Sequence, residues 1–173
     1  MDLFAQLLMI IIPAGIVFYT TQLFLKKQGE KEKQNILGEL KKERQAYFLP
    51  NRADAYQRVV LLMERIHPNS LVMRIHNPAM KAAGFQAELL KAVREEFDHN
   101  VAQQLFVSPE AWTMCKNAKD ETVKIINIAA QKVGSDAMAT ELASAIFEIV
   151  GEIGELPTEI ALAFLKVEFQ RLF

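Results

Sequence analysis

The longest apolar stretch of the chain lies near its N-terminus and contains no charged residue from Leu3 through Leu25. As an α-helix these 23 residues would extend about 34 Å, at about 1.5 Å per residue. The hydrocarbon core of a bilayer is about 30 Å thick, so the length matches one membrane crossing. Pro13 and Gly15 lie near the middle, where membrane helices tolerate both residue types. The pattern predicts a transmembrane anchor over residues 1–27.

Two other interpretations of this stretch fit less well. A cleaved signal peptide has a basic start and a short apolar region. Here the first charged residue is Asp2, and the apolar run is long. A buried core helix rarely continues this far without a charge.

Lysines give the predicted anchor an orientation. Lys26, Lys27, Lys31 and Lys33 follow the apolar run, and no lysine or arginine precedes it. Positive residues are retained on the cytoplasmic side of a membrane. We therefore expect a single-pass protein of the inner (cytoplasmic) membrane, with its N-terminus outside and its C-terminal domain in the cytoplasm.

The segment after the anchor, residues 28–49, is predicted to be a charged helical stalk. Residues 26–46 contain seven basic and four acidic residues. This net positive charge suits anionic lipid, although an ordinary solvated linker helix has the same composition. Ile36, Leu40 and Tyr47 share one face, but a single heptad-like step with two glycines nearby is too little to predict a coiled coil.

From residue 50 to 173, apolar residues recur every three or four positions, as in amphipathic helices. Asn51, Ser108 and Ser135 are the predicted N-caps of three of these helices. Residues 68–78 lie between two prolines and fit either a short helix or an extended strap, of which we favour the helix. Pro157 and Thr158 are predicted to open the last helix, which would run to the end of the sequence.

The fold class that follows is all-α: an N-terminal transmembrane helix, a charged helical stalk and a cytoplasmic helical bundle (residues 50–173). Apolar residues make up 51% of the chain and charged residues 24%, which is sufficient for a packed core. The net charge of −1 does not indicate a nucleic-acid partner. The single cysteine, Cys115, excludes an internal disulfide and is consistent with a reducing compartment.

No catalytic, cofactor-binding or metal-binding motif stands out in the sequence. Glu95 and His99 are one helical turn apart and could share a proton or bind a metal with a third ligand, but a surface pair is the simpler interpretation. Cys115 shares an apolar face with Trp112, which predicts a buried structural thiol. Arg74 lies in an apolar segment and is predicted to bind helix C-terminal carbonyls or Glu64.

Four glutamates near the C-terminus follow one another at intervals of four, three and four. On an unbroken helix they would form an acidic stripe for a basic partner or a cation, but Pro157 interrupts the register. A solvated helix face is the favoured interpretation. The four residues are Glu148, Glu152, Glu155 and Glu159.

The last helix is apolar over most of its circumference, whereas a helix packed on one core needs only one apolar stripe. It is too short and too charged for a second membrane span. It could be the central helix of the bundle, dock on a partner or a second copy, or lie on the bilayer. The candidate contact residues are Ile160, Phe164, Leu165, Phe169 and Leu172.

Two stretches resemble a family of small single-pass bacterial membrane proteins of unknown function. They read ERIHPNSLVMRIHNP, residues 64–78, and EEFDHNVAQQLFVSPEAW, residues 95–112. The resemblance implies the architecture and a bacterial origin, and it assigns no activity or site residue.

The function that we expect is a membrane-anchored interaction or scaffold protein, or an accessory subunit of an envelope complex, without catalysis. Its expected partners are the lipid bilayer and a protein partner or further copies of the chain, with no nucleic acid. The alternative is a small membrane-associated hydrolase or lipid-handling enzyme that uses Glu95 and His99. A regulatory subunit whose anchor packs beside a partner's membrane helices is a third possibility.

Overall fold

The computed structural model describes the backbone of residues 3–171, and the side chains of Ile12, Pro13 and residues 15–171. Its six α-helices and one 3₁₀ turn confirm the all-α prediction, and no strand forms within these residues. The helices are α1 (Leu3–Ile66), α2 (Pro68–Ile75), α3 (Ala82–Asn100), α4 (Pro109–Val133), α5 (Ala139–Ile153) and α6 (Pro157–Gln170), with the 3₁₀ turn at Val101–Leu105 between α3 and α4.

The chain divides into two units, Met1–Leu49 and Pro50–Phe173. In the described part of the first unit, the chain is one continuous helix whose side chains are almost all exposed to solvent. No helix of the described residues is both long and apolar enough to cross a membrane. The predicted anchor covers residues 1–27. Its first two residues lie outside the described part, as do its side chains up to residue 11 and that of Ala14.

The second unit is a helical bundle with α4 at its centre. α3, α5 and α6 each pack against α4, and α2 packs against α3 and α5. The last turns of α1 supply a buried face to the same core. The largest fully buried side chains come from all six helices: Tyr56, Phe85, Leu62, Met63, Ile66, Leu71, Leu89, Ile126, Leu142, Ile146, Leu165 and Val59.

The start of α4 follows the sequence prediction closely. Ser108 is the N-cap, and its Oγ accepts a hydrogen bond from the backbone N–H of Ala111 at 3.0 Å. A cap of this kind satisfies one of the backbone donors that the first turn leaves unpaired. The apolar face that Trp112 and Cys115 share is buried along the length of α4: Trp112, Cys115, Ala118, Thr122, Ile125, Ile126 and Ala129. The helix ends at Gly134, whose φ of 82° is a left-handed conformation that favours glycine.

The segment between the two prolines contains the short helix α2, as predicted, which ends at Ile75. Arg74 on α2 donates one hydrogen bond to the backbone carbonyl of Arg65, in the last turn of α1, at 3.1 Å. It donates another to Glu96 of α3, also at 3.1 Å. Glu96 accepts a further ion pair from Arg65 Nε at 2.7 Å. The predicted carbonyl acceptor is therefore confirmed, while the acidic partner is Glu96 and not Glu64.

The prediction that Asn51 caps a helix is wrong. α1 continues through Pro50, so Asn51 lies inside the helix. A proline lacks the backbone N–H that would pair with the preceding turn. Here the backbone is helical on both sides of Pro50, so the loss of one donor does not end the helix.

The prediction that Ser135 caps the next helix is also wrong, because α5 begins four residues later with Met138 as its N-cap. The residues before α5 pair instead with the residues before α3. Ala82 N–H donates to the Ala137 carbonyl at 2.8 Å, and Ala139 N–H donates to the Met80 carbonyl at 3.0 Å. This pairing holds the segment out of the helix, and Glu141 Oε1 then accepts from Met138 N–H at 3.1 Å.

Candidate interaction surface

A shallow apolar groove runs between α4 and α6 on the surface of the second unit. Its volume is about 360 Å³. α6 supplies most of its lining, and Met114 supplies the α4 side. The lining residues are Met114, Ile160, Ala163, Phe164, Val167, Glu168 and Arg171. Apolar side chains therefore line most of the groove, and one acidic and one basic side chain lie toward the C-terminal end of α6.

The groove exists because α6 has two apolar faces. One face is packed into the core through Ala161, Leu162 and Leu165. The other carries Ile160 and Val167, which are seven residues apart and therefore on the same side of the helix. Ile160 is 41% exposed and Val167 is 49% exposed. The bundle covers only the first face, so the second remains in solvent.

The N-terminus of α6 is held by its own sequence. Pro157 occupies the first helical position, where its missing N–H would be unpaired in any helix. Glu159 accepts a hydrogen bond from the backbone N–H of Leu156 at 2.8 Å, and Leu156 is buried. These contacts fix the direction of α6 and therefore the position of Ile160, one residue after Glu159.

The C-terminal end of α6 packs against α1 through a buried polar cluster. The hydroxyl of Tyr56 and Oε2 of Glu168 are both buried, and neither makes a direct hydrogen bond within the described residues. Burial raises the pKa of Tyr56, and the nearby Glu168 carboxylate raises it further. Arg52 counters this effect and also donates to the Phe106 carbonyl at 3.2 Å. The groove therefore ends beside the place where α1, α6 and the loop before α4 meet.

The four predicted contact residues that the structure describes do not form one surface. Ile160 and Phe164 line the groove. Leu165 is fully buried, so the prediction that it contacts a partner is corrected: it belongs to the core. Phe169 lies on another side of α6, where its ring centroid is 5.9 Å from that of Tyr56. Leu172 lies outside the described residues.

Sequence reasoning missed Met114 as a groove residue. Its signal was weak, because a half-buried methionine two positions after Trp112 falls between the buried and the solvated face of α4. Val167 lies seven residues after Ile160 on the same side of α6 and also lines the groove, although it is not among the predicted contact residues. The seven-residue spacing between Ile160 and Val167 is therefore the signal in the sequence that identifies Val167 as a groove residue.

In the structure, Glu95 and His99 do not form a catalytic or metal-binding site. Both side chains are exposed on α3. Glu95 Oε1 lies 3.9 Å from Lys91 Nζ, one helical turn away. Among the described residues, no group of three or more histidine, cysteine, aspartate or glutamate side chains could hold a metal ion.

The four glutamates near the C-terminus are divided between separate contacts. Glu148 pairs with Lys132 of α4 at 2.8 Å. Glu159 accepts from the backbone at the start of α6 and lies 3.6 Å from His67 Nε2. Glu152 and Glu155 are exposed. They do not act as one acidic stripe.

Cys115 is a buried thiol, as predicted. Burial raises its pKa to about 12. A thiol with this pKa is almost entirely protonated at neutral pH, and the thiolate is the reactive form. Cys115 is therefore a packing residue on the inner face of α4.

The family model described as "Family of unknown function (DUF7935)" matches residues 2–172, almost the whole chain. The chain belongs to this family. No curated protein and no solved structure matches the sequence. Membership in DUF7935 confirms the resemblance to a family of unknown function, whereas the bacterial origin and the single membrane span stay predictions.

Proposed function

We propose that this chain is a membrane-anchored interaction protein, whose C-terminal helical unit binds a protein partner through the groove between α4 and α6. The observation that carries the proposal is the second apolar face of α6. Ile160, Phe164 and Val167 are presented on a helix that is already fixed to the core by its other face. A rigid apolar surface of this kind loses little entropy when a partner docks on it.

The composition of the groove favours a protein partner over a small substrate. Aromatic and methionine side chains are enriched in protein interfaces. Phe164 and Met114 both line this groove, together with aliphatic residues. Arg171, which is exposed toward the end of α6, would give the contact a polar rim. The groove is shallow and open, whereas ligand pockets enclose most of their ligand.

The membrane anchor is part of the same proposal. Its support is the run of uncharged residues from Leu3 to Leu25, together with the exposure of the apolar side chains described in it, such as Phe18 at 67%. Two of the polar side chains within the run are satisfied locally. Thr20 donates to the Ile16 carbonyl at 2.9 Å, and Thr21 donates to the Val17 carbonyl at 2.7 Å. Hydroxyls paired in this way cost little in lipid.

The anchor is tested by deleting residues 3–25 from the full chain. We expect the complete protein to stay in the membrane fraction after washing with alkaline carbonate, and the deletion variant to be released. A reporter fused after Phe173 should be active in the cytoplasm, because the lysines that follow Leu25 are retained there. A reporter that is active only outside the cytoplasm would contradict the orientation.

The groove is tested by placing charges on its exposed wall. The double variant Ile160→Asp and Val167→Asp should reduce recovery of the partner that co-purifies with the full chain by about 30-fold, since central interface residues contribute about 2 kcal/mol or more. Ile128→Asp is the matched control, because Ile128 is 54% exposed on α4 and does not line the groove. All variants should keep the helical circular dichroism of the wild type. Equal partner recovery by the double variant and the control would rule out the groove.

A further inference from the structure

The corner between α1 and α2 holds a histidine, His67, whose backbone is bonded to both helices. Its N–H donates to the Met63 carbonyl of α1 at 3.0 Å, and its own carbonyl accepts from the Leu71 N–H of α2 at 2.9 Å. Ile66 before it and Pro68 after it are buried. The side chain of His67 is only 14% exposed. The fold therefore sets the position of the imidazole ring.

One ring nitrogen of His67 caps α2. Nδ1 accepts a hydrogen bond from the backbone N–H of Asn69 at 3.3 Å, which makes His67 the N-cap of this helix. A ring nitrogen accepts only when it carries no proton, so the neutral ring has its proton on Nε2. The usual N-cap residues are serine, threonine, aspartate and asparagine. Unlike these, histidine changes its charge between about pH 5 and pH 8.

The other ring nitrogen of His67 lies beside the first turn of α6. Nε2 is 3.6 Å from Oε1 of Glu159. The second carboxylate oxygen, Oε2, accepts from the backbone N–H of Leu156 at 2.8 Å and so holds the start of α6. One imidazole ring therefore joins the cap of α2 to the capping carboxylate of α6.

Glu159 is the charged group placed to respond to a proton on His67. Among the described residues, it is the one carboxylate within ion-pair distance of the ring. On α1, Glu64 is exposed three residues before His67, and Arg65 is paired with a glutamate of α3. On α2, Arg74 is held by the same glutamate. No ion pair joins the ring to α3 or α5 in the part of the chain that the structure describes.

We propose that His67 is a pH-sensitive switch, which exchanges a contact with α2 for a contact with α6 when it gains a proton. In the neutral form, Nδ1 accepts from the Asn69 N–H and caps α2. In the protonated form both ring nitrogens are donors, so Nδ1 no longer accepts and the cap is lost. The imidazolium then forms a charge pair with the Glu159 carboxylate.

The proton has opposite effects on the two helices. The N-terminus of a helix carries a partial positive charge, so an imidazolium there is unfavourable for α2 in addition to the lost hydrogen bond. On the other side of the ring, an opposite charge close to Glu159 is favourable. Acid therefore loosens the first turn of α2 and strengthens the contact between the α1–α2 corner and α6.

The loss of the α2 cap is tested by NMR spectroscopy of the full chain in detergent micelles, with isotope labels in histidine and asparagine. The measurements are made at the alkaline end, about pH 8, and at the acid end, about pH 5, of the histidine range. The ring of His67 should carry its proton on Nε2 at the alkaline end and on both nitrogens at the acid end. Protection of the Asn69 amide against hydrogen exchange, corrected for the intrinsic effect of pH, should fall about fivefold toward the acid end, which corresponds to about 1 kcal/mol for a lost N-cap.

His67→Asn is the matched control, because asparagine caps a helix through an oxygen whose charge does not depend on pH. In this variant the protection of Asn69 should be the same at both ends of the pH range. The signals that the variant lacks also identify those of His67 among the three histidines of the chain.

The contact with α6 is tested by Glu159→Gln in the full chain. Glutamine keeps an oxygen that accepts from the Leu156 N–H, as in a capping box, but it has no charge to pair with an imidazolium. In urea unfolding, this substitution should lower the midpoint more at the acid end than at the alkaline end. In the His67→Asn background its effect should not grow toward acid pH, because asparagine gains no proton.

Three results would overturn the proposal. The first is a ring that carries its proton on Nδ1 at the alkaline end or stays neutral at the acid end. The second is equal protection of Asn69 at both ends. The third is an effect of Glu159→Gln that does not grow toward acid pH in the chain that retains His67. None of these measurements involves the α4–α6 groove or its partner, so this proposal and the proposed function fail separately.

Discussion

Replacing Trp112 with alanine is expected to lower the free energy of unfolding of the C-terminal unit by about 3–5 kcal/mol. The indole is 8% exposed, at the first turn of α4. A tryptophan buries about 150–250 Å², which corresponds to roughly 4–6 kcal/mol at about 25 cal/mol per Å². Its ring centroid lies 5.2 Å from that of Phe97 on α3, and Lys119 Nζ lies 5.1 Å from the Phe97 ring. The substitution therefore removes one of the contacts that join α3 to α4.

Urea unfolding of the full chain, followed by far-ultraviolet circular dichroism, measures this loss. With a slope of about 1–3 kcal/mol per molar urea, the midpoint of the C-terminal unit should fall by at least about 1 M. Lys116→Ala is the control, because Lys116 is exposed one turn further along α4, and its effect should stay within about 0.5 kcal/mol. An unchanged midpoint for the alanine variant at 112 would show that the indole does not contribute to the core.

The features that the sequence predicts well are those whose physics is local. The Ser108 cap and Pro109 are adjacent in the chain and act on the next turn, so their pattern alone gives the start of α4. The buried face of α4 follows from the same periodicity, because every apolar position on that side meets another helix. For the same reason Pro157 marks the start of α6.

The errors come from contacts between distant parts of the chain. Ser135 has a good cap sequence, yet the pairing of Lys81 with Met138 delays the start of α5. Arg74 was expected to need an acceptor, but Glu96 is 22 residues away and no local pattern identifies it. Pro50 shows the limit of a local rule, because the helical backbone continues on both sides of it.

The candidate surface was half visible in the sequence. Apolar residues on two sides of the last helix predict that one neighbour cannot cover it, and the exposed Ile160 and Val167 agree with this. Which side is the core depends on where α4 lies, and Met114 of α4 is 46 residues from Ile160 in the chain. The periodicity therefore identifies two apolar faces but does not show which of them is buried, so it also predicts a partner contact for Leu165.

Replacing Leu165 with alanine is expected to lower the free energy of unfolding by about 2–5 kcal/mol, while Val167→Ala changes it by no more than about 0.5 kcal/mol. Leu165 is fully buried, so its loss leaves a cavity between α6 and the core. Val167 is two residues away on the opposite side of the same helix, and its truncation removes only surface. Trp112 is the one tryptophan of the chain, so its fluorescence follows the unfolding of the core in both variants.

The same pair separates the two roles of α6. Deleting the helix would remove the core face and the groove face together, so a folding defect and a binding defect could not be told apart. With single substitutions, Leu165→Ala should reduce stability and, under conditions where the chain stays folded, leave partner recovery unchanged, whereas Val167→Ala should do the reverse. Equal destabilisation by both variants would contradict the assignment of one face to the core and the other to a partner.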